Sequence, residues 1–321
     1  MKAAVVTGAG ERPVHMEFDA PSAMPGHSLI DVTASALSRI AQARASGTHY
    51  SSDARYPFVV GVDGVGRLDD GRRVYFFGAP APFGAMAERT IAPDTQCVPL
   101  PDALDDVTAA AIAIPGMSSW AALTERARLV AGETVLVNGA TGASGRLAVR
   151  IAKHLGAAKV IATGRNSAAL QDLPNAGADA VVSLQQDDAH LARALEPHFR
   201  EGVDVVLDYL WGASARTLLV AAAKATPDGR RLRFVQIGSI GGADVLLPGA
   251  VLRATAIELM GSGIGSVSLP RLLASVRGVF DAAGPAGLAI DTHIVPLSAV
   301  GEHWGDVNSL VRPVFTLRGG A

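Results

Sequence analysis

The sequence lacks the features that mark several common protein classes. Its 321 residues include a single cysteine, Cys97, which excludes an internal disulfide and any cysteine-cluster metal site. Acidic and basic side chains nearly balance, at a formal net charge of -2, so the basic footprint of a nucleic-acid-binding protein is missing. Hydrophobic residues make up 49% and charged residues 18%, which excludes a disordered chain, a collagen and a coiled coil.

Segments for export or membrane insertion are not expected either. The apolar stretch before Gly8 is too short for the hydrophobic region of a secretory signal. No apolar run is expected to reach the roughly 18 uncharged residues that a spanning helix needs, so we expect no membrane segment. The sequence therefore predicts a cytoplasmic protein of two or three domains, at roughly 100–200 residues per domain.

The residue composition and the hydrophobic pattern of the chain change twice along its length. Across residues 1–116, Gly- and Pro-rich turns separate short β-like runs, which predicts an all-β or barrel-like unit. From 117 to 255, short apolar strands alternate with helices, a pattern typical of a parallel sheet covered on both faces. Residues 256–321 are mixed, with a helix predicted over 269–284 and strands after it. This order predicts that an α/β unit interrupts a β-rich unit, which the chain then resumes.

The strongest local signal is a glycine-rich loop between a buried-type strand at 134–139 and an amphipathic helix at 142–156. Glycines let the backbone approach a pyrophosphate, and a helix N-terminus offers free N–H groups and about half a positive charge. A tight turn in a doubly wound domain without a ligand would use the same glycines, and this alternative stays open. We expect cofactor contacts from Asn138, Gly139, Ala140, Thr141, Gly142, Ala143 and Ser144.

The end of the next strand indicates which dinucleotide is bound. An NAD site usually carries Asp or Glu about 20 residues after the loop, to hold the ribose 2′-hydroxyl. This chain has Gly164-Arg165-Asn166 there, without a carboxylate. A charge-assisted bond from Arg165 to a 2′-phosphate is worth roughly 1.5–3 kcal/mol, or about a 10–100-fold preference for NADPH over NADH. The alternative is a solvated Arg165 at a helix start.

A series of motifs resembles the medium-chain dehydrogenase/reductase superfamily, specifically its zinc-free quinone oxidoreductase branch. Each motif is loose alone, but their order and spacing together are specific to the superfamily. The resemblance implies a GroES-like β-barrel catalytic domain built from both chain ends, an inserted Rossmann doubly wound cofactor domain, and a homodimer that pairs a strand near 256–261. The matching motifs are GVDGVG (61–66), FGAMAERTIAP (83–93), IPGMSSWAAL (114–123), VNGATGASG (137–145) and GVDVVLDYLWG (202–212).

The resemblance also excludes the zinc-dependent branch. Zinc-dependent relatives have Cys where this chain has Ser38 and His where it has Val62, so that only the acidic position, Asp63, is kept. Zinc needs three or four Cys, His or carboxylate ligands, which a serine and a valine do not replace. We expect no metal, and we expect Asp63 to accept backbone N–H bonds in its turn.

Hydroxyl groups are the remaining candidates for chemistry. Tyr50 matches the tyrosine that faces the nicotinamide in quinone reductases, although a one-residue insertion leaves Tyr56 or His49 as alternatives. Tyr50 is expected to donate a hydrogen bond to a carbonyl or to protonate the neighbouring carbon; the alternative is an aromatic wall. Ser38 is the second expected catalytic residue beside Tyr50 and is expected to line the substrate pocket. The other expected pocket residues are Tyr50, Tyr56, Leu210 and Trp211.

Two further groups follow from the motif positions. Ser118 falls at the family's threonine beside the nicotinamide, although the sequence does not distinguish it firmly from Ser119. Gly238 and Ser239, at the end of a strand, fit backbone contacts to the cofactor. Trp211 replaces a glycine and either narrows the cleft or is buried against the sheet.

The sequence thus predicts a zinc-independent, NADPH-dependent oxidoreductase that transfers hydride to a quinone or an α,β-unsaturated carbonyl compound. Two alternatives remain: a zinc-free ketone or aldehyde reductase, and a non-catalytic NADPH-binding sensor. The expected partner is a small molecule, without nucleic acid or membrane.

Overall fold

The computed structural model describes residues 1–48, 55–306 and 311–317, and it divides the chain into two compact units. Unit 1 comprises Met1–Ile114 and Ala289–Ala321, and unit 2 comprises Pro115–Leu288. Both chain ends therefore belong to one unit, and the second unit is an insertion.

Unit 1 is built mainly from antiparallel strands. Numbered along the whole chain, its strands are β1 (Lys2–Val6), β2 (Val14–Glu17), β3 (His27–Ala36), β4 (Phe58–Val59), β5 (Asp63–Leu68), β6 (Arg73–Phe77), β7 (Arg89–Pro93), β8 (Cys97–Pro99), β15 (Asp291–Pro296) and β16 (Val311–Thr316). Its helices are α1 (Arg39–Ala45), the first part of α2 (Asp106–Ala121) and α9 (Val300–His303). The three-stranded sheet has the order β2-β1-β4, and the seven-stranded sheet has the order β15-β16-β3-β5-β6-β8 with β7 paired to β3.

The long strand β3 organises this unit. Ile30, Val32 and Ala34 alternate inward and are almost fully buried, as the period of two in a strand requires. A β-bulge between Val32 and Ala34 shifts the register against β5. Strand β16 returns antiparallel to β3, with Val314 opposite Ala36, so the C-terminal segment completes the sheet that the N-terminal segment begins.

Unit 2 is a doubly wound α/β unit. Its strands are β9 (Thr134–Asn138), β10 (Lys159–Gly164), β11 (Ala180–Ser183), β12 (Val205–Asp208), β13 (Leu232–Gln236) and β14 (Ile257–Gly261). Its helices are α3 (Ala143–His154), α4 (Ser167–Asp172), α5 (Asp188–Glu201), α6 (Gly212–Ala225), α7 (Gly249–Ala254) and α8 (Leu269–Ala282). The six parallel strands have the order β11-β10-β9-β12-β13-β14, so the strand order reverses between β9 and β12. This confirms the predicted fold class.

The central strands of unit 2 are apolar on both faces. Residues 135–137, 160–162 and 205–207 are fully buried, because helices cover the parallel sheet on either side. Helix α3 presents Leu147 and Ile151, one turn apart, to this core. The sheet edge at which β9, β10 and β12 end is thereby fixed by continuous packing.

The boundaries differ from the sequence prediction at the C-terminal side. Residues 256–288, expected to return to the catalytic domain, belong to unit 2 instead. Strand β14 pairs in parallel with β13, Phe234 opposite Leu259, and α8 buries Val276 and Val279 within the same unit. The pairing of β14 with β13 decides this boundary, and the local sequence pattern did not reveal that pairing. The first boundary falls after Ile114 rather than after residue 116.

One helix contains an uncharged apolar segment longer than we expected from the sequence. Helix α2 continues as a π-helical segment, Ala122–Ala127, and together they are long and apolar enough to cross a membrane by length and composition alone. The prediction that no run reaches that length was wrong, because residues 107–124 carry no charged side chain. In that apolar window, 67% of the residues are buried inside the protein, as in a core helix.

Helix α2 also contains a proline, and a buried arginine compensates for it. Pro115 lacks the N–H that would bond the carbonyl of Ala111, four residues earlier. Arg312 Nη1 donates to that carbonyl at 2.6 Å, and Arg312 Nε donates to the carbonyl of Leu37 at 2.9 Å. The guanidinium of Arg312 therefore satisfies backbone oxygens that α2 and β3 leave open.

Candidate functional site

The glycine-rich loop lies at the carboxyl end of β9, where the strand order reverses. Gly139 has a φ of 93°, a left-handed conformation that glycine adopts without steric cost. The N–H of Ala140 bonds the carbonyl of Thr163 at 2.8 Å, and the N–H of Gly139 faces the Thr163 hydroxyl at 3.3 Å. The loop is thus tied to the end of β10 before any ligand binds.

Close packing requires a second glycine where α3 begins. A Cβ on Gly145 would lie 2.3 Å from the carbonyl oxygen of Gly139, so any side chain there would push the helix off the loop. Gly142 is the N-cap and no side chain caps the helix. The first N–H groups of α3 are therefore left for a ligand, and the helix dipole favours an anion. Ala140 is buried, whereas Thr141, Gly142, Ala143 and Ser144 are half-buried.

A buried polar network supports the loop from below. The Asn138 amide donates to Asp208 Oδ1 at 2.8 Å and to the Ser214 hydroxyl at 3.2 Å, and Asn138 Oδ1 accepts from the Thr163 hydroxyl at 2.7 Å. Burial raises the pKa of Asp208, while bonds from Asn138 and from the N–H groups of Leu210 and Trp211 oppose the rise. The side chain of Asn138 is occupied within the protein, so it positions the loop.

The end of β10 carries the residues expected to choose the dinucleotide. Gly164 is buried against Thr141, and Arg165 follows it as an exposed side chain. Asn166 caps α4 by accepting the N–H of Ala169 at 3.0 Å, so the capping role belongs to Asn166. Asp172, farther along, is ion-paired with Arg146. No carboxylate follows β10 directly in the sequence, and the role of Arg165 stays a prediction.

The loop after β12 covers the glycine-rich loop with a leucine. The Leu210 side chain lies 2.9 Å from the place where a Cβ on Gly139 would be. Trp211 has a φ of 57°, a conformation uncommon outside glycine, and packs half-buried against the core of unit 2. The packing of Trp211 against the core agrees with the second of its two alternatives, and its place in the substrate pocket stays a prediction. The bulk above Gly139 comes from Leu210.

Ser119, rather than Ser118, reaches toward the loop. The Ser119 hydroxyl lies 2.7 Å from the Tyr209 hydroxyl and 3.0 Å from the carbonyl of Ser144, in the first turn of α3. The Ser118 hydroxyl donates to the carbonyl of Pro115 in its own helix, at 2.8 Å. Burial raises the pKa of Tyr209 well above its ordinary value, so that this phenol stays neutral. No pattern in the sequence marks Tyr209 as a partner of Ser119, because only the fold brings the two hydroxyls together.

Gly238 and Ser239 follow β13 at the same edge. The N–H of Gly238 bonds the carbonyl of Asp208 at 3.2 Å, and a Cβ on Gly238 would lie 2.7 Å from the carbonyl of Tyr209. Ser239 is exposed. The cofactor residues predicted for unit 2, apart from Ser118, thus gather at the carboxyl ends of β9, β10 and β13.

In unit 1 the predicted residues have local structural partners. Ser38 is the N-cap of α1, is 6% exposed and accepts the N–H of Ala41 at 3.2 Å. The Tyr56 hydroxyl donates to the carbonyl of Ala45 at 2.9 Å and braces the other end of α1. His49 and Tyr50 lie outside the described residues, so the tyrosine predicted to act as a proton donor remains a prediction.

The donor set at the family's metal position does not fit zinc. Val62 is a buried aliphatic side chain, and the Ser38 hydroxyl already accepts a backbone N–H. In the described ranges, no three His, Cys, Asp or Glu residues group so as to hold a metal ion. Of Ser38, Val62 and Asp63, only Asp63 is of a residue type that binds zinc, and a zinc site needs three or four such ligands.

Asp63 has different partners from those expected. It is fully buried in unit 1 near the charge of Arg312 and the hydroxyl of Tyr75, whereas the sequence analysis expected backbone N–H groups. Burial raises the pKa of this carboxyl to about 7, although Arg312 and Tyr75 both act to lower it. Asp63 is therefore a buried carboxyl that interacts electrostatically with Arg312 when it is ionised.

Comparison with known proteins agrees with this architecture. A family model described as zinc-binding dehydrogenase matches residues 143–278. The probable NADPH-dependent quinone reductase tdiC of Emericella nidulans is 29% identical over 349 residues, covering 95% of this chain and 97% of that protein. A much longer protein of Mycobacterium tuberculosis, which belongs to its phenolphthiocerol/phthiocerol polyketide synthase, is 31% identical over 255 residues, covering 72% of this chain but 11% of that protein.

A solved structure covers the whole fold. A probable oxidoreductase from Mycobacterium abscessus is 26% identical, has a TM-score of 0.78 and aligns over 99% of both chains. The predicted resemblance is confirmed: the family model and the quinone reductase relative indicate the medium-chain dehydrogenase/reductase superfamily, in its quinone oxidoreductase-like branch.

Proposed function

We propose that the chain is a zinc-independent, NADPH-dependent oxidoreductase that reduces a quinone or an α,β-unsaturated carbonyl compound. The observation that carries the proposal is the glycine-rich loop at the β9–β12 switch point, with an uncapped helix N-terminus beside it. The relative of nearly equal length from Emericella nidulans is described as a probable NADPH-dependent quinone reductase, which supports the cofactor and the reaction class.

The residues of unit 2 fit this cofactor. The pyrophosphate would lie on the loop from Gly139 to Ser144, against the free N–H groups of α3. Arg165 is exposed at the end of β10, and it is proposed to pair with the 2′-phosphate. Gly238 and Ser239 offer backbone contacts farther along the edge. Ser119 and Tyr209 hold the first turn of α3 in place, since the Ser119 hydroxyl bonds the carbonyl of Ser144.

When bound, NADPH supplies the hydride, and the protein orients the reactants and stabilises the negative charge that develops on the acceptor oxygen. Ser38 suits the second task, because its oxygen accepts the N–H of Ala41 and its own proton is left to donate. Tyr50 is proposed as the proton donor. The Tyr56 hydroxyl is occupied by the carbonyl of Ala45, so Tyr56 acts through the position of α1.

The proposal is tested by initial rates of NADPH oxidation with a simple quinone, a 2-enal, a cyclic enone and a saturated ketone, in metal-stripped protein. Turnover of the quinone or an enone, with NADPH preferred over NADH and no effect of added zinc, is expected. Turnover of the saturated ketone alone would establish carbonyl reduction instead. Dependence on added zinc would contradict the metal-free mechanism.

The non-catalytic alternative has one observation in its favour, which is the Leu210 side chain above Gly139. If Leu210 closes the site, NADPH binds but no acceptor is reduced, and Leu210→Ala should create turnover. Trp211→Ala is the matched control, because Trp211 packs against the core and its removal should open nothing.

We also propose a cytoplasmic homodimer. Strand β14 is the edge of the six-stranded sheet and exposes Leu259 on its surface, so it is available for pairing with a second copy. Light scattering of the purified protein should give twice the chain mass of 32.9 kDa. Leu259→Pro should give the monomer mass, since proline cannot donate to a strand ladder.

A further inference from the structure

Unit 1 contains a pocket to which the proposed function assigns no ligand. Its volume is about 70 Å³, and its walls come from α1, from the segment between Arg55 and Val62, and from the loop after β6. Phe58 and Phe83 give it an apolar surface, and Arg44 and Arg55 are the two basic residues that line it. The pocket therefore combines apolar walls with positive charge.

Arg44 contributes a charge that no carboxylate in the described part of the chain pairs with. It is half-buried in the last turn of α1, and none of the ion pairs found in the described ranges includes it. The described residues that line the pocket include no aspartate or glutamate. Without a carboxylate partner among the described residues, the guanidinium of Arg44, next to apolar surface, creates a positive potential that an anion relieves. The pocket is thus electrostatically complementary to an acid.

Helix α1 is held in place on both sides of Arg44. The Tyr56 hydroxyl bonds the carbonyl of Ala45, the next residue, at 2.9 Å, and the Gln42 amide bonds the carbonyl of Trp304. The ring of Tyr56 also packs against Phe58, with ring centroids 5.4 Å apart. These contacts fix the backbone of Arg44, so a ligand that binds its side chain pays little to order the helix.

We propose that this pocket binds a carboxylate carried by the acceptor substrate, so that the enzyme prefers acidic α,β-unsaturated carbonyl compounds over neutral ones. The inference rests on the proposed function. A guanidinium matches a carboxylate with two parallel hydrogen bonds, and Phe58 and Phe83 cover the carbon atoms beside it. The volume suits an acid group and a short chain. Val62, the position of a metal ligand in zinc-dependent relatives by resemblance, lines the same pocket.

The test compares two acceptors that differ only in charge, 4-oxopent-2-enoate and its methyl ester, in NADPH-dependent turnover by the full chain. The wild type should reduce the acid with a kcat/KM about 10-fold higher than the ester. Arg44→Gln should lower kcat/KM for the acid by about 10-fold, the value of one charge-assisted bond, and leave the ester within about twofold. Arg39→Gln is the matched control: Arg39 is exposed on the same helix but does not line the pocket, so both rates should stay within about twofold.

The outcomes separate the two proposals. Equal rates with acid and ester, unchanged in Arg44→Gln, would overturn the carboxylate site and leave the reductase intact. If neither acceptor is reduced, the pocket is decided by calorimetric titration with 4-oxopentanoate, the saturated acid. Binding to the wild type that is lost in Arg44→Gln supports the site; no binding to the wild type overturns it.

Discussion

Arg312 offers the sharpest test of how unit 1 is held together. Arg312→Met removes the donors to Ala111 and Leu37, at 2.6 and 2.9 Å, and it removes the nearby charge that lowers the pKa of the buried Asp63, so that ionised Asp63 must take up a proton. Methionine fills most of the volume, so the loss is mainly electrostatic. Breaking a buried pair by removing one partner costs about 3–5 kcal/mol, and we expect that fall in the free energy of unfolding at pH 8.

The assay is denaturant and thermal unfolding at two pH values. At roughly 2–4 °C per kcal/mol for a unit of this size, the Tm at pH 8 should fall by about 6–20 °C. The loss should be smaller at pH 5.5, because the pKa of Asp63 is raised to about 7 and the carboxyl is mostly neutral there. The difference between the two pH values isolates the charge from the two hydrogen bonds.

Arg89→Met is the matched control, because Arg89 pairs with Asp69 and Asp31 and all three side chains are more than a third exposed to solvent. Exposed pairs contribute about 0–1 kcal/mol, so this variant should unfold close to the wild type. The reasoning would be refuted if Arg312→Met also stayed within about 1 kcal/mol of the wild type at pH 8.

Three further predictions concern named residues. Burial raises the folded-state pKa of Asp63 to about 7, from an ordinary 3.8, so the stability it contributes is complete below pH 3.8 and is lost as the pH rises through 7. Asp63→Asn should remove that fall, which amounts to about 2–3 kcal/mol between unfolding curves at pH 5 and pH 8; an unchanged pH slope would contradict it. Gly145→Ala should abolish NADPH binding and destabilise unit 2. Gly142→Ala should leave the unfolding midpoint unchanged, because its Cβ would meet its nearest atom at 3.7 Å. If the Gly145→Ala and Gly142→Ala variants unfold at the same midpoint, the close approach at Gly145 is disproved. Tyr209→Phe should weaken NADPH binding by a few-fold through the loss of its bond to Ser119, and should leave the preference for NADPH over NADH unaltered; an altered preference would place Tyr209 at the ribose.

Local sequence predicted the elements of unit 2 well. The apolar runs at 134–139 and 159–164 became fully buried strands, because a parallel sheet covered on both faces needs continuous hydrophobic segments. The predicted domain boundary at residue 256 was wrong, because the segment after it has no such continuous hydrophobic run. Strand β14 is an edge strand with exposed side chains, so its membership depends on pairing with β13, which no local pattern records.

The candidate site divides in the same way. Glycines that backbone geometry demands, such as Gly139 and Gly145, were visible because their spacing fits a strand–loop–helix turn. The side-chain partners were not, since residues 70–90 positions apart meet only in the fold: Asn138 with Asp208, and Ser119 with Tyr209. The same holds for Arg312, whose partners lie in segments far away along the chain.

We propose that the loop after β9 holds NADPH and that Arg165 selects NADPH over NADH. The most direct measurement is equilibrium titration of the wild type and of Arg165→Ala with NADPH and NADH. The wild type should bind NADPH about 10–100-fold more tightly than NADH, and the variant should bring the two affinities close together. Failure of the wild type to bind either dinucleotide, or an unchanged preference in Arg165→Ala, would contradict the account.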